Sequence, residues 1–208
     1  MMILKKFGSA CSMWVMLFIL GLSLAACAGN STPSTFYMLR SMESPQESLS
    51  MATGEKTLSV LVGPITLPGY LDRNQMVTVV GKNEMALDEF SRWAESLRDS
   101  FYRVLLEDLS LLLKTPQVYA YDRSGENDAD YQVSIDVTRF DCVPEGEAVL
   151  TAFWSVRGKN GSTPKITNKS VFRATVSDTG FAGIVEAQNQ TLTAFGREIA
   201  STIQSMHR

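Results

Sequence analysis

Few residues of this chain have types and spacings that could do chemistry. Its one histidine, His207, stands next to the C-terminus, where chains tend to fray, and is expected as a solvated side chain rather than a catalytic base. Without a second histidine, the Ser-His-Asp, Cys-His and zinc constellations all lack parts. Cys142 follows an alternating apolar stretch and precedes Val143-Pro144, which fits a partly buried small hydrophobe better than a reactive thiol. Asp136, Asp141, Glu145 and Glu147 lie close together, and paired carboxylates can hydrolyse glycosides, but nothing in the sequence sets one apart as the acid. Gly81-Lys82 invites comparison with a phosphate loop, yet Met76 stands where its first glycine belongs and Asn83 where Ser or Thr is needed. The acidic residues 122–130 could suggest calcium. Ser124 and Glu126 break the alternating ligand pattern, so a solvated turn is expected there. The sequence thus points to a protein that is not an enzyme, with no metal site and no cofactor.

Another cysteine, Cys27, has a different context. Lys5 and Lys6 make a positive start, and residues 13–26 are uncharged and mostly apolar, the make-up of an export signal. The stretch is shorter than the roughly 20 apolar residues of a membrane-spanning helix. It closes with Leu24-Ala25-Ala26-Cys27, which resembles the lipobox of bacterial lipoproteins, where the cysteine thiol is acylated. The competing reading, an ordinary secretory leader ending beside a cysteine, exports the chain as well. The resemblance implies cleavage after residue 26 and an anchor of two or more acyl chains, since one chain binds membrane only marginally. Ala28 stands where retention at the inner membrane typically uses Asp, so by resemblance to that sorting rule the outer membrane is the expected address.

Residues 27–35 are then expected as lipidated N-terminus and tether, and residues 36–208 as one domain, long enough for one sizeable core. Loss of Lys5 and Lys6 takes the formal charge from −3 to −5, which argues against a nucleic-acid partner. With Cys11 removed and Cys27 acylated, Cys142 has no partner for a disulfide, and the core must hold by packing.

The elements follow from periodicity. Thr35-Phe36-Tyr37-Met38-Leu39 is a β-prone island in a polar stretch reaching to residue 55. Residues 57–62 form a compact apolar strand stopped by Gly63-Pro64, and residues 75–80 a further short strand. Asp88 or Ser91 is placed to cap a helix in which Phe90, Trp93, Leu97, Phe101, Val104 and Leu105 recur at three- and four-residue steps, ended by Pro116. Residues 117–121 make a short strand. Tyr131, Val133, Ile135 and Val137 then alternate with polar residues, and residues 148–157 and 170–176 repeat that period of two. Asn160-Gly161 suits a hairpin turn, so these three strands read as an antiparallel meander. A second helix, residues 183–206, carries Ile184, Leu192, Phe195, Ile199 and Ile203 on one face. The expected class is α+β: one domain, a largely antiparallel sheet with two long helices packed on one face.

Two segments are too particular for plain packing. In residues 67–77, a rigid Pro68-Gly69 bend is followed by Tyr70, Leu71, Asp72 and Arg73. Either Tyr70 covers the core while Asp72 and Arg73 pair or solvate, or the bend is a protein-contact edge, as Tyr and Arg are enriched in hot spots. In Arg92-Trp93-Ala94-Glu95, Trp93 sits on the apolar stripe, open to core packing or to partner contact. Pro-x-Tyr-Leu-Asp-Arg-x-Gln at residues 68–75, followed by Arg-Trp-Ala-Glu at 92–95, resembles the PqiC-like ABC-type transport auxiliary lipoproteins. Phe36-Tyr37-Met38-Leu39 is similar to that family's opening strand. The departure is Ser96, where the family usually has Pro.

The resemblance implies a non-enzymatic subunit of an envelope lipid-transport system. Its partners would be a periplasm-spanning MCE-domain channel protein and, through it, inner-membrane transport subunits, with phospholipid as cargo. It also implies a homo-oligomeric ring around the channel mouth, with Tyr70, Asp72, Arg73 and Trp93 as candidate partner-binding residues. A structural lipoprotein of envelope or appendage assembly is the alternative from a different class.

Overall fold

A computed structural model describes residues 32–42, 58–121, 129–159, 165–178 and 180–207. The leader, Cys27, the acidic residues 122–128 and the Asn160-Gly161 turn lie outside the described residues. From Ser34 onward the chain forms one compact unit. In chain order it contains β1 (Thr35–Tyr37), β2 (Val60–Thr66), a 3-10 turn (Gly69–Leu71), β3 (Gln75–Gly81), β4 (Glu84–Trp93), α1 (Leu97–Leu113), β5 (Val118–Ala120), β6 (Tyr131–Cys142), β7 (Glu147–Gly158), β8 (Ile166–Thr175) and α2 (Phe181–His207).

The class is α+β, as the periodicity predicts, but the strands divide into two mixed sheets, with orders β5-β2-β6-β7-β8 and β1-β4-β3. The β6-β7-β8 meander is antiparallel throughout. The strand β2 pairs in parallel with both β5 and β6. It is buried continuously from Val60 to Val62, the pattern of a central strand covered on both faces. It also runs straight through Gly63-Pro64, a cis peptide bond, rather than stopping there. Gly63 holds φ +124°, and a Cβ there would lie 2.6 Å from Tyr121 Cβ, so no other residue fits.

Both helices pack against each other and on one side of the five-stranded sheet, α2 over β6, β7 and β8 and α1 toward β2 and β5. The inward residues of β6 and β7, among them Val133, Ile135, Ala152 and Trp154, meet Phe101, Leu105, Leu192, Phe195 and Ile199 from the helices. Phe101 and Phe140 meet edge to face at 5.3 Å, and Trp154 and Phe195 at 6.0 Å, the favoured arrangement for aromatic pairs.

The first helix begins later than its apolar spacing predicts. Ser96, not Asp88 or Ser91, is the N-cap, its Oγ accepting from Asp99 N at 3.2 Å. Residues 84–93, expected as helix start from Asp88 onward, form β4 instead. Asp88 caps locally, its carboxylate accepting from the backbone N–H groups of Phe90 and Ser91, and this turns the strand at a bulge rather than starting a helix.

The segment after β1 is strapped across both helices. Leu39 is fully buried; its N–H donates to Ser100 Oγ at 3.3 Å and its carbonyl accepts from Arg103 Nη2 at 3.2 Å. Arg40 N donates to Asn189 Oδ1 at 3.1 Å and Met42 N to Asp108 Oδ1 at 2.8 Å. Asp108 is itself fully buried and also accepts from Thr193 Oγ1 at 3.3 Å. Burial raises its pKa, and these two donors hold it back.

Candidate contact site

The three segments that carry the family resemblance converge on the three-stranded sheet. Tyr37 pairs in parallel with Trp93, and Gln75 pairs with Arg92. Trp93 N donates to Asn74 O at 2.8 Å and Ala94 N to Tyr37 O at 2.7 Å. The end of β4 that leads into α1 is therefore held between the first strand on one side and the bend on the other.

Within the bend, Leu71 N returns to Pro68 O at 3.0 Å and Asp72 N to Gly69 O at 3.1 Å. Leu71, at 5% exposure, plugs the core. Tyr70 is half-buried, and its hydroxyl donates to Asp141 Oδ2 at 3.0 Å. Arg139 Nε donates to the other oxygen of Asp141 at 2.8 Å. Burial and the Asp141 charge raise the Tyr70 phenol well above its ordinary pKa, so it stays a donor. Asp141 is 3% exposed, a buried carboxylate acceptable only because both oxygens are bonded and Arg139 supplies the counter-charge. The latch leaves Asp72 and Arg73 on the exposed apex of the bend. Trp93, 5% exposed, is part of the core.

The latch was not visible from the sequence, because Tyr70 and Asp141 are 71 positions apart. The one hint is Asp141 itself, since a carboxylate between the buried Phe140 and Cys142 needs a partner. The other carboxylates are held separately. Asp136 accepts from Thr66 Oγ1, Glu147 pairs with Arg173 at 3.1 Å, and Glu145 occupies a turn at φ +57°. Cys142 is buried and its thiol is pushed up to about 11, chiefly by burial and then by the Asp141 charge, so it is no thiolate nucleophile at neutral pH. His207 is exposed on the last turn of α2, its ring edge against Tyr131 at 6.1 Å. Among the described residues no group of His, Cys, Asp or Glu is placed to hold a metal ion, and no helix is long and apolar enough to cross a membrane. What this arrangement can do is present a rigid, charged apex for contact.

Comparison with known proteins matches residues 37–200 to the family of ABC-type transport auxiliary lipoprotein components. That span contains the bend, the latch, the first helix and the second helix as far as Ala200. No curated protein matches the chain. Among solved structures, an uncharacterized protein is similar at 19% identity and TM-score 0.66, over 83% of this chain and 99% of its own. A Xanthomonas campestris protein of the DUF330 family is similar at 17% identity and TM-score 0.57, over 80% of this chain and 92% of its own. At these identities the two structures establish the fold. The match from Tyr37 to Ala200 establishes the kinship as well: this chain belongs to the ABC-type transport auxiliary lipoproteins.

Proposed function

We propose that this chain is the outer-membrane lipoprotein of an MCE-type, ABC-driven lipid-transport system, acylated on Cys27, and that it docks the far end of the periplasm-spanning MCE channel through the Asp72-Arg73 apex. In this reading the homo-oligomer forms a ring at the channel mouth and phospholipid is the cargo. The observation that carries it is the convergence of the three family segments on one sheet, with Tyr70 spent on holding the bend and Asp72 and Arg73 left free to solvent. Rigid elements that present exposed charge give specificity and on-rate at protein contacts. The family is described as an auxiliary component of transport, which agrees with a subunit that docks rather than catalyses.

The test is a detergent pull-down of the intact lipoprotein from its native envelope, beside a variant carrying Asp72→Arg and Arg73→Asp, with mass spectrometry of what is retained. An MCE-domain protein is expected with the wild type and lost from the variant, whose latch is untouched. Capture by both moves the contact to another surface. Capture by neither removes the MCE reading and brings forward a structural lipoprotein of envelope assembly.

A further inference from the structure

Among the described residues the β3–β4 ribbon is poorly protected. The strand β4 is paired with β3 on one side, but β1 covers its other side only from Ser91 to Trp93. Over residues 84–90 that side has no strand against it among the described residues. The same stretch exposes Met85 at 43%, Leu87 at 48% and Phe90 at 48%, beside Val80 at 53%. A two-stranded ribbon with an open edge and bare apolar side chains is marginal alone in water, and natural proteins normally blunt or cover such edges.

A complementary edge lies elsewhere on the same chain. Among the described residues the ten-residue strand β8 ends the five-stranded sheet, with no strand on its outer side. By strand alternation, Lys169, Val171 and Arg173 stand in one row on it. Val171 is 50% exposed, and Lys169 lies over the ring of exposed Phe153 at 5.2 Å. On β4, alternation puts Glu84, Ala86 and Asp88 in one row. The two rows share their spacing and carry opposite charge: acid, small apolar, acid against base, apolar, base. Opposite charges directly across two strands stabilise their pairing, and like charges oppose it.

We propose that the open edge of β4 in one copy of this chain adds to the open edge of β8 in the next, setting Glu84 and Asp88 against Lys169 and Arg173 around an Ala86–Val171 contact. The two edges are different surfaces, so the contact is head to tail, and repeated contacts of that kind close into rings or run on as filaments. The inference gives the ring named above its contact surfaces and rests on that reading.

The experiment uses the intact lipoprotein in detergent and reads copy number by native mass spectrometry. One variant carries Glu84→Lys with Ala86→Lys, the other Lys169→Glu with Val171→Glu. All four sites are exposed, so thermal unfolding of each variant should match the wild type. Wild type is expected as an assembly. Each variant alone should self-associate about a hundredfold more weakly. An equimolar mixture should form a one-to-one pair, since the intact β8 edge of the first variant meets the intact β4 edge of the second. A monomeric wild type, variants that assemble as well as wild type, or a mixture that stays monomeric would overturn the proposal. So would variants that keep their copy number but lose binding to phosphatidylethanolamine vesicles, which would assign the ribbon to a bilayer. Capture of an MCE protein by the wild type separates the outcomes: capture without assembly overturns the edge contact and keeps the docking reading, whereas assembly without capture overturns only the docking reading.

Discussion

The two sheets of this molecule treat their faces differently. The five-stranded sheet carries both helices on one side and buries Trp154, Phe140, Phe195 and Leu150 almost completely. The three-stranded sheet anchors one end in the core through Met76 and Trp93 and leaves the other end bare, with Met85, Leu87 and Phe90 in solvent. The contrast separates duties: the first sheet supplies folding stability, and the second, with its neighbouring bend, supplies surface.

Substitutions can break or sharpen that division. Trp154→Ala removes the largest fully buried side chain and the 2.9 Å bond from its indole N–H to Ser170 Oγ, and is expected to cost about 3–5 kcal/mol in urea unfolding. A cost near zero would mean that the helix-covered sheet is not the seat of stability. Tyr70→Phe deletes one donor to the buried Asp141 and should cost about 1–3 kcal/mol. In the pull-down it should also weaken capture of the partner, because the apex loses its support. Asp108→Asn tests the strap across the helices through pH. Its carboxyl is raised by burial, so the folded state holds the proton longer than the unfolded state. The contribution of this group is complete below the ordinary Asp pKa and is lost as pH rises through the raised one. Replacement by Asn keeps an acceptor for Met42 N and should flatten that part of the stability–pH curve, measured by thermal unfolding across the acid range. Leu87→Ser, on the bare ribbon, should change stability by no more than about 0.5 kcal/mol. A larger loss would show that the ribbon packs within its own chain.

Much of this division could be read in the sequence. The meander was legible because β6 and β7 each bury one face, and burial of one face writes a period of two into the residues. The strand β4 was not, for the converse reason: Glu84–Leu87 are all exposed, so no face demands apolar residues and no period appears. Phe90, Trp93 and Leu97 then fall by coincidence on helical spacing and extend α1 backward past its cap at Ser96. The split into two sheets and the parallel pairs of β2 depend on contacts between distant segments, and only the unbroken burial of Val60–Val62 hints at them. At the candidate site, Tyr70, Asp72 and Arg73 stood out by residue type, whereas Asp141 and Arg139 were hidden in a strand far along the chain.

The strap at Leu39–Met42 also decides how the domain answers to force. Tension arriving along the N-terminal segment meets β1 and then, within six residues, backbone bonds to Ser100, Arg103, Asn189 and Asp108 on two different helices. Load therefore meets β4 first, through the β1 pairing at Ser91–Trp93, and is then divided between α1 and α2. A chain tugged at that end would strain the β1–β4 pairing, and with it the base of the contact surface, before the helix pair took the load.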